Sequence, residues 1–480
     1  MSLKTKALTG VKWTGLSSVS IALIQFIQII VLARILEPSD FGLMAITSVV
    51  IGFSALFMDM GISSAIVHKQ DITHSQLSSL YWLNVFAGLI LFGFIYFLAP
   101  YVALFYGEAE IESLLKLLSL SFFITAIGNQ YRILYQKELR FDYLAKIEIF
   151  SAISALIVAL ACALKGFGVY ALVYGTLTNA LIANVVFLVT GLKVHKPSFI
   201  FNYQDIKSFI TFGLFQIGER SINYFNSQFD TLLIGKLLGT ESLGIYNLAK
   251  NLAIKPAQII NPIINRVAFP VMAKVQDDTS KLRAIYLRGI NYLCSFNFPI
   301  YLLLFVLAET IVFNLVGEKW ADSVIILQVL SLYFLVRSTG NPVGTLVLAK
   351  GRADLSFYWN LGLFFIIPIS IYLGSFQGVF GVAIALVALQ VLLSIPNWYF
   401  LVNRLSEASF TDYFMQIIKP LIISVVSVTI AYFLTDLIFT AGLVKDFIFT
   451  LITVFFYLLL SFKFNNGFIS IMLSLVKVGK

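Results

Sequence analysis

The feature that most constrains this chain is serial: apolar runs of roughly twenty residues, each closed by Gly, Pro or a cluster of charges, recur from Trp13 to beyond Leu443. A helix needs ~20 mostly apolar residues to cross a ~30 Å hydrocarbon layer, and within that layer its backbone polar groups must be satisfied internally. Such a series folds as a bundle of membrane-crossing helices. Segmentation predicts about fourteen spans, the first six near 13–33, 42–67, 79–100, 114–135, 147–164 and 169–192. The next six fall near 207–235, 243–269, 289–316, 322–348, 357–374 and 378–402, and two more near 413–434 and 444–462. With 480 residues, 59% hydrophobic and 12% charged, the chain departs from the soluble average of about half apolar and about a quarter charged. The longest polar stretches, roughly 193–207 and 273–288, are far below the ~50 residues of an independent domain. A separate soluble catalytic domain is excluded, so chemistry is confined to the membrane and its faces.

The distribution of positive charge tests the count, because Lys and Arg collect in alternate connections when the number of crossings is right. Assigned to connections in turn, 22 fall on one side and 6 on the other of a total of 33. Both termini are therefore expected on the cytoplasmic side. The net charge of +9 is an orientation and lipid-surface signal, and no nucleic-acid partner is expected. Lys4, Lys6 and Lys12 precede an apolar run that reaches about Ala33, long enough to be a retained first helix rather than a cleaved leader.

Cys162 and Cys294 lie inside apolar runs, as small membrane-core side chains would. His68, His74 and His195 sit in polar connections, are too far apart in sequence to suggest a ligand cluster, and read as solvated loop residues. Neither a cofactor nor a metal site is expected.

An internal repeat organises the spans. Leu32-Ala33-Arg34-Ile35-Leu36-Glu37-Pro38-Ser39-Asp40-Phe41-Gly42 joins the first two, and Ile234-Gly235-Lys236-Leu237-Leu238-Gly239-Thr240-Glu241-Ser242-Leu243-Gly244 joins the seventh and eighth, at an ungapped offset of 202. Phe167-Gly168-Val169 recurs as Phe380-Gly381-Val382 at an offset of 213, and Arg140-Phe141-Asp142 as Arg352-Ala353-Asp354 at 212. Six spans per half is an even number, so the halves share an orientation and are related by an axis along the membrane normal. The expected fold is an all-α polytopic membrane protein: two six-helix bundles related by a pseudo-twofold axis, plus two C-terminal helices. The expected domains are an N-terminal lobe at 1–192, a cytoplasmic linker at 193–206, a C-terminal lobe at 207–403 and two additional helices with a tail at 404–480.

A charge at the bilayer centre costs ~2.5–3.5 kcal/mol on insertion scales, so it should face a bundle interior or a wet cavity. Five basic residues fall inside predicted spans: Arg220, Lys250, Lys255, Arg266 and Arg337. In span seven Arg220, Asn223, Ser227 and Asp230 occupy an arc of roughly 80° at about 100° per residue. In span eight Asn247, Asn251, Gln258, Asn261 and Asn265 form a similar stripe of about 80°, with Lys250 and Lys255 on its flanks. Arg337 belongs to span ten, and Gln25 with Gln28 to span one. A cavity with surplus Arg and Lys suits a diphosphate or an acidic sugar, while amides suit hydroxyl-rich ligands. The alternative for Arg220 is a helix-locking ion pair with Asp230 or Glu219. Asp59, Glu219 and Asp230 are the acids available for coupling transport to protons or sodium. Pro256, Pro262 and Pro342 interrupt spans eight and ten beside the lining residues, as static kinks or hinges.

The repeated motif 33–42 with its partner 234–239, together with Asp230 and Leu243-Gly244-Ile245-Tyr246-Asn247-Leu248-Ala249, resembles the polysaccharide transporter (Wzx-type flippase) family. The similarity runs through nearly the whole chain and is closest to exporters of colanic-acid-like repeat units. It implies a transporter, not an enzyme, that moves an undecaprenyl-pyrophosphate-linked oligosaccharide from the cytoplasmic to the periplasmic leaflet of a bacterial inner membrane by alternating access. It also implies membrane lipid as a partner, and a polymerase and chain-length regulator of the polysaccharide pathway. Within the same superfamily the lipid II flippase relies on arginines in its first helices, where this chain has Gln25 and Gln28, a departure from a peptidoglycan-precursor role. The expected substrate contacts are Arg220, Lys250, Lys255 and Arg337 toward diphosphate or acidic sugar, with Asn223, Asn247, Asn251, Gln25 and Gln28 toward hydroxyls. A multidrug or cation antiporter of the superfamily would need an acidic, aromatic cavity. A membrane glycosyltransferase or polymerase would need catalytic carboxylates and usually a sizeable loop domain.

Overall fold

The computed structural model describes residues 3–59, 66, 72–439, 442–470 and 472. Among them the protein is helical throughout, and twelve helices are long and apolar enough to cross a membrane. In chain order the first six are α1 (Leu3–Ile35), α2 (Pro38–Asp59), α3 (His74–Tyr106), α4 (Glu110–Lys137), α5 (Phe141–Leu164) and α6 (Tyr170–Gly191). Later come α9 (Thr279–Val306), α10 (Ser323–Ala349), α11 (Ala353–Ser375), α12 (Gly378–Ser406), α13 (Phe410–Ile438) and α14 (Leu443–Phe464).

Between these two sets runs a continuous helical stretch, Tyr203–Lys274, of 72 residues. At ~1.5 Å per residue it is about three and a half times the thickness of a bilayer core, too long for one crossing. Gly239, at φ 87 and ψ 175, divides it into α7 (203–238) and α8 (240–274). That backbone conformation is essentially confined to glycine. Apolarity alone thus accounts for twelve crossings of the expected fourteen, and spans seven and eight fall on α7 and α8. Their polar stripes dilute the hydropathy that marks the others.

The chain divides into two compact units, Met1–Gly244 and Ile245–Lys480. In the first, α3 packs on α4, α5 on α6, α4 on α6 and α1 on α5. Small side chains make this possible: Ala155, Ala159 and Ala163 are buried at four-residue spacing along α5, and a Cβ at Gly175 of α6 would stand 2.9 Å from that of Ala159. The repeated motifs meet within this unit. A Cβ on Gly42 would lie 1.8 Å from the Thr240 carbonyl oxygen, and one on Gly244 would lie 1.7 Å from that of Pro38. Pro38 and Thr240 are counterparts at offset 202, as are Gly42 and Gly244, so the contact is reciprocal in the manner of a two-fold interface.

In the second unit α9 is the hub, packed by α10 and α13, with α14 on α13 and α12 on α10. The Tyr286 ring stacks on that of Tyr413, with centroids 6.5 Å apart. Tyr457 of α14 donates its hydroxyl hydrogen to the Ser295 carbonyl at 2.7 Å, and Asn465 Nδ2 donates to Ser295 Oγ at 2.9 Å. The outward faces carry large apolar side chains, Phe97, Leu104 and Leu437 among them, as a lipid-facing surface does.

The connection after α6 is strapped to the start of α3. Ser198 N–H donates to Ser78 Oγ at 3.1 Å, Trp82 Nε1 to the Ser198 carbonyl at 2.9 Å, and Asn202 N–H to Ser79 Oγ at 3.1 Å. Two of the histidines expected to be solvated meet here: the rings of His74 and His195 lie 4.6 Å apart edge to face, and His195 is buried. Sequence distance, 121 residues, concealed a contact that the strap creates. His68 lies outside the described residues.

Candidate functional site

Polar side chains on α1, α4, α5 and α6 converge on a cavity of 330 Å³ inside the first unit. Gln25 and Gln28 of α1 line it. The other polar lining residues are Thr125, Asn129 and Arg132 of α4, Glu148 and Ser151 of α5, and Asn179 and Asn184 of α6, set among apolar ones such as Ile21 and Phe187. Arg132 donates through Nη2 to Glu148 Oε1 at 3.0 Å and through Nε to the same oxygen at 3.3 Å, while Ser17 Oγ donates to Oε2 at 3.2 Å. The carboxylate is thereby neutralised and held at the cavity wall. The polar part of the lining is a set of amides and hydroxyls, each able to donate and accept, around one fixed ion pair. In the charge count Arg132 is one of the 22 cations given to connections, although it falls within the expected span 114–135, and Asn129, Asn179 and Asn184 carry no expected role. The signal was present: Thr125, Asn129 and Arg132 recur at spacings of 4 and 3, the same helical stripe recognised in spans seven and eight.

On α7, Arg220 and Asn223 are exposed. Of the two ion pairs expected as the alternative for Arg220, the one with Asp230 is not formed among the described residues, and the one with Glu219 involves a side chain outside them. Asp230 is buried and its Oδ1 accepts the Thr231 N–H at 2.7 Å. Tyr224 fixes the helix to α2 by donating to the Val49 carbonyl at 2.9 Å. The side chains of Asp59, Glu219 and Arg266 lie outside the described residues.

On α8, within the second unit, Asn247, Lys250, Asn251 and Lys255 are all half-buried. Asn251 Nδ2 donates to Asn247 Oδ1 at 3.2 Å, a one-turn amide ladder. The stripe does not continue unchanged. Asn261 is buried and accepts from Asn297 Nδ2 of α9 at 3.0 Å, so it holds two helices together instead of lining a wet surface. Ala257, which follows Pro256, donates its N–H to the Tyr301 hydroxyl at 3.1 Å, anchoring the proline turn to α9. On α10, Arg337 is exposed, donates to the Tyr333 hydroxyl, and has its guanidinium 5.5 Å from that ring's centroid. Stacking on the Tyr333 ring orients the cation.

Among the described residues, no group of three or more His, Cys, Asp or Glu is placed to hold a metal ion. The fold and these polar helix faces define a multi-span helical membrane protein with polar sites among its helices. The chain belongs to the family described as Polysaccharide biosynthesis protein, whose model matches residues 31–325. The lipopolysaccharide biosynthesis protein WzxC of Escherichia coli (strain K12) is 33% identical over 437 residues, covering 90% of this chain and 88% of the relative. The teichuronic acid biosynthesis protein TuaB of Bacillus subtilis (strain 168) is also 33% identical over 437 residues, covering 90% and 89%. Among solved structures, the lipid II flippase MurJ in an inward closed conformation superposes with a TM-score of 0.76 at 16% identity, covering 96% of this chain and 100% of that one.

Proposed function

We propose that the chain is a flippase for undecaprenyl-pyrophosphate-linked oligosaccharide repeat units, moving them from the cytoplasmic to the periplasmic leaflet of a bacterial inner membrane for surface polysaccharide synthesis. The observation that carries this reading is the polar content of a bundle whose other helices are apolar: Arg220, Asn223, Lys250, Asn251, Lys255 and Arg337 on α7, α8 and α10, and the cavity at Gln25 and Gln28 with its amide side chains. The family, with relatives named for lipopolysaccharide and teichuronic acid biosynthesis, supports a polysaccharide precursor as cargo. The fold shared with a lipid II flippase supports carriage of a lipid-linked one.

The barrier to flipping is desolvation of a large polar head. In this reading the cations take the diphosphate or acidic sugars, because fixed charges in a poorly hydrated site hold anions better than water does. Asn223, Asn247, Asn251, Gln25 and Gln28 exchange hydrogen bonds with sugar hydroxyls, and the prenyl tail stays in lipid. Two lobes, 1–192 and 207–403, joined by the linker 193–206 and followed by the two helices of 404–480, rock to expose the site alternately. Asp59, Glu219 and Asp230 are the candidates for proton or sodium coupling. Both termini are cytoplasmic, and a polymerase and chain-length regulator receive the product. No bond is made or broken, so the protein is not an enzyme.

The test is complementation. In a strain lacking the chain, the fourfold variant Arg220→Gln, Lys250→Gln, Lys255→Gln, Arg337→Gln, at wild-type membrane abundance, should lower surface polysaccharide by on the order of tenfold or more, given about 1.5–3 kcal/mol for a hydrogen bond to a charged group. Undiminished export at equal abundance refutes the assignment.

A further inference from the structure

A second polar cavity, of 540 Å³, lies in the other unit, where α9, α13 and the turn following α14 come together. Arg288, Asn291 and Tyr292 enter it from α9, Gln416 and Lys419 from α13, and Asn465 and Ser470 from the chain after α14. No carboxylate is among its lining residues. Arg288 and Lys419 form no ion pair among the described residues, whereas Arg352 with Asp354 and Lys281 with Asp278 on neighbouring polar segments are paired at 2.7 and 2.8 Å. The floor is polar but shielded: Asn291 and Asn465 are each only 6% exposed, and Asn465 is fixed through Nδ2 to Ser295 Oγ. Two unpaired cations over a pre-positioned amide floor form an anion site, and its planar guanidinium and mobile ammonium suit a phosphate.

Depth identifies the source of the anion. Lys419 is bracketed on α13 by Ile418 and Ile422, which are 41% and 57% exposed, and α14 leaves its apolar run at Phe464 immediately before Asn465. The cavity therefore opens where lipid-facing surface gives way to polar chain, the level of the headgroups, toward which long basic side chains extend. We propose that this cavity binds the phosphate of an anionic membrane phospholipid and thereby fastens α13 and α14, the helices beyond the internal repeat, to α9. The site is separate from the residues assigned to the cargo and is independent of what that cargo is.

The experiment uses the full chain purified in detergent, with native mass spectrometry counting bound lipid and thermal unfolding measuring its effect. Three probes are added in turn: phosphatidylglycerol, phosphatidylcholine and inorganic phosphate. For the wild type, phosphatidylglycerol should bind and raise the unfolding midpoint, and phosphatidylcholine should do neither. In Arg288→Gln/Lys419→Gln its affinity should fall by roughly thirtyfold, the effect of two interfacial cations. Arg288→Lys/Lys419→Arg should restore it, which separates loss of charge from loss of fold, and Arg352→Gln should leave it unchanged. A response to inorganic phosphate that the double Gln variant lacks supports the phosphate site and shows that the headgroup alone suffices. Equal phosphatidylglycerol binding by wild type and the double Gln variant overturns the proposal, as does an equal response to phosphatidylcholine.

Discussion

Gly42 and Gly244 show how much one missing methyl group can determine. Each presses its Cα against a backbone carbonyl of the other motif, where a Cβ would stand under 2 Å from an oxygen that cannot rotate away. Gly42→Ala and Gly244→Ala should each destabilise by about 1–3 kcal/mol, the usual cost of forcing extra atoms into a packed contact. The two effects should be non-additive, since either one already separates the pair. Gly93→Ala, in α3 with open space around its Cβ position, should be neutral or slightly stabilising in the same thermal-unfolding assay. The strap holds a second residue-scale device. Burial, and then the nearby His74, hold the His195 imidazole below its ordinary value, and its Nε2 is buried without a hydrogen-bond partner among the described residues. With the folded pKa depressed, its contribution to stability is complete above about pH 6.5 and is lost as pH falls beneath that value, where the unfolded chain takes up the proton first. Wild-type protein should therefore lose unfolding midpoint between about pH 7.5 and pH 5.5. His195→Gln should show a flatter profile, and identical profiles would remove His195 as the cause.

The helices themselves were largely legible, and the misplaced ends have physical causes. Span nine, expected near 289–316, is α9 at Thr279–Val306. Its polar first turns are set by Asp278, whose carboxylate accepts the Lys281 N–H at 3.1 Å, and no apolar run marks such a start. Beyond it the apolar residues 307–316 go into a short helix and a π-turn, Val312–Val316, which hydropathy cannot distinguish from a continuing span. Likewise the connection expected between spans seven and eight contracts to one residue. Gly239 supplies a conformation in which only glycine is comfortable, so α7 passes into α8 with no loop. Gly239→Ala should cost about 1–3 kcal/mol, because the new side chain is strained even though no atom lies near its Cβ position. Circular dichroism should show little loss of helix while the unfolding midpoint falls. Equal midpoints would mean that the break can move along the chain.

At the scale of the whole molecule, the helical membrane class and the polar residues of α7 and α8 could be read from hydropathy and periodicity, yet the cavity at Gln25 and Gln28 in the first unit could not. Apolar neighbours masked its polar residues: Asn179 and Asn184 each occur once in a run of aliphatic residues, and Arg132 was indistinguishable from the loop cations that follow it. Only packing brings α1, α4, α5 and α6 together and shows that Arg132 answers Glu148. That pair also separates a structural role from a transport role. Its side chains are 49% and 27% exposed, so solvent screens it and its worth to stability is small, about 0–1 kcal/mol. Glu148→Gln should therefore barely move the unfolding midpoint. It would nevertheless release the Arg132 charge into a cavity whose other lining groups are neutral, and so alter which ligands the space accepts. If cargo passes along Gln25 and Gln28, Glu148→Gln and Gln25→Leu/Gln28→Leu should both depress polysaccharide export in the complementation assay while membrane abundance stays at the wild-type level. Loss of export in step with loss of abundance would make the cavity a packing feature. Normal export with normal abundance would move the cargo path out of the first bundle and onto α7, α8 and α10 alone.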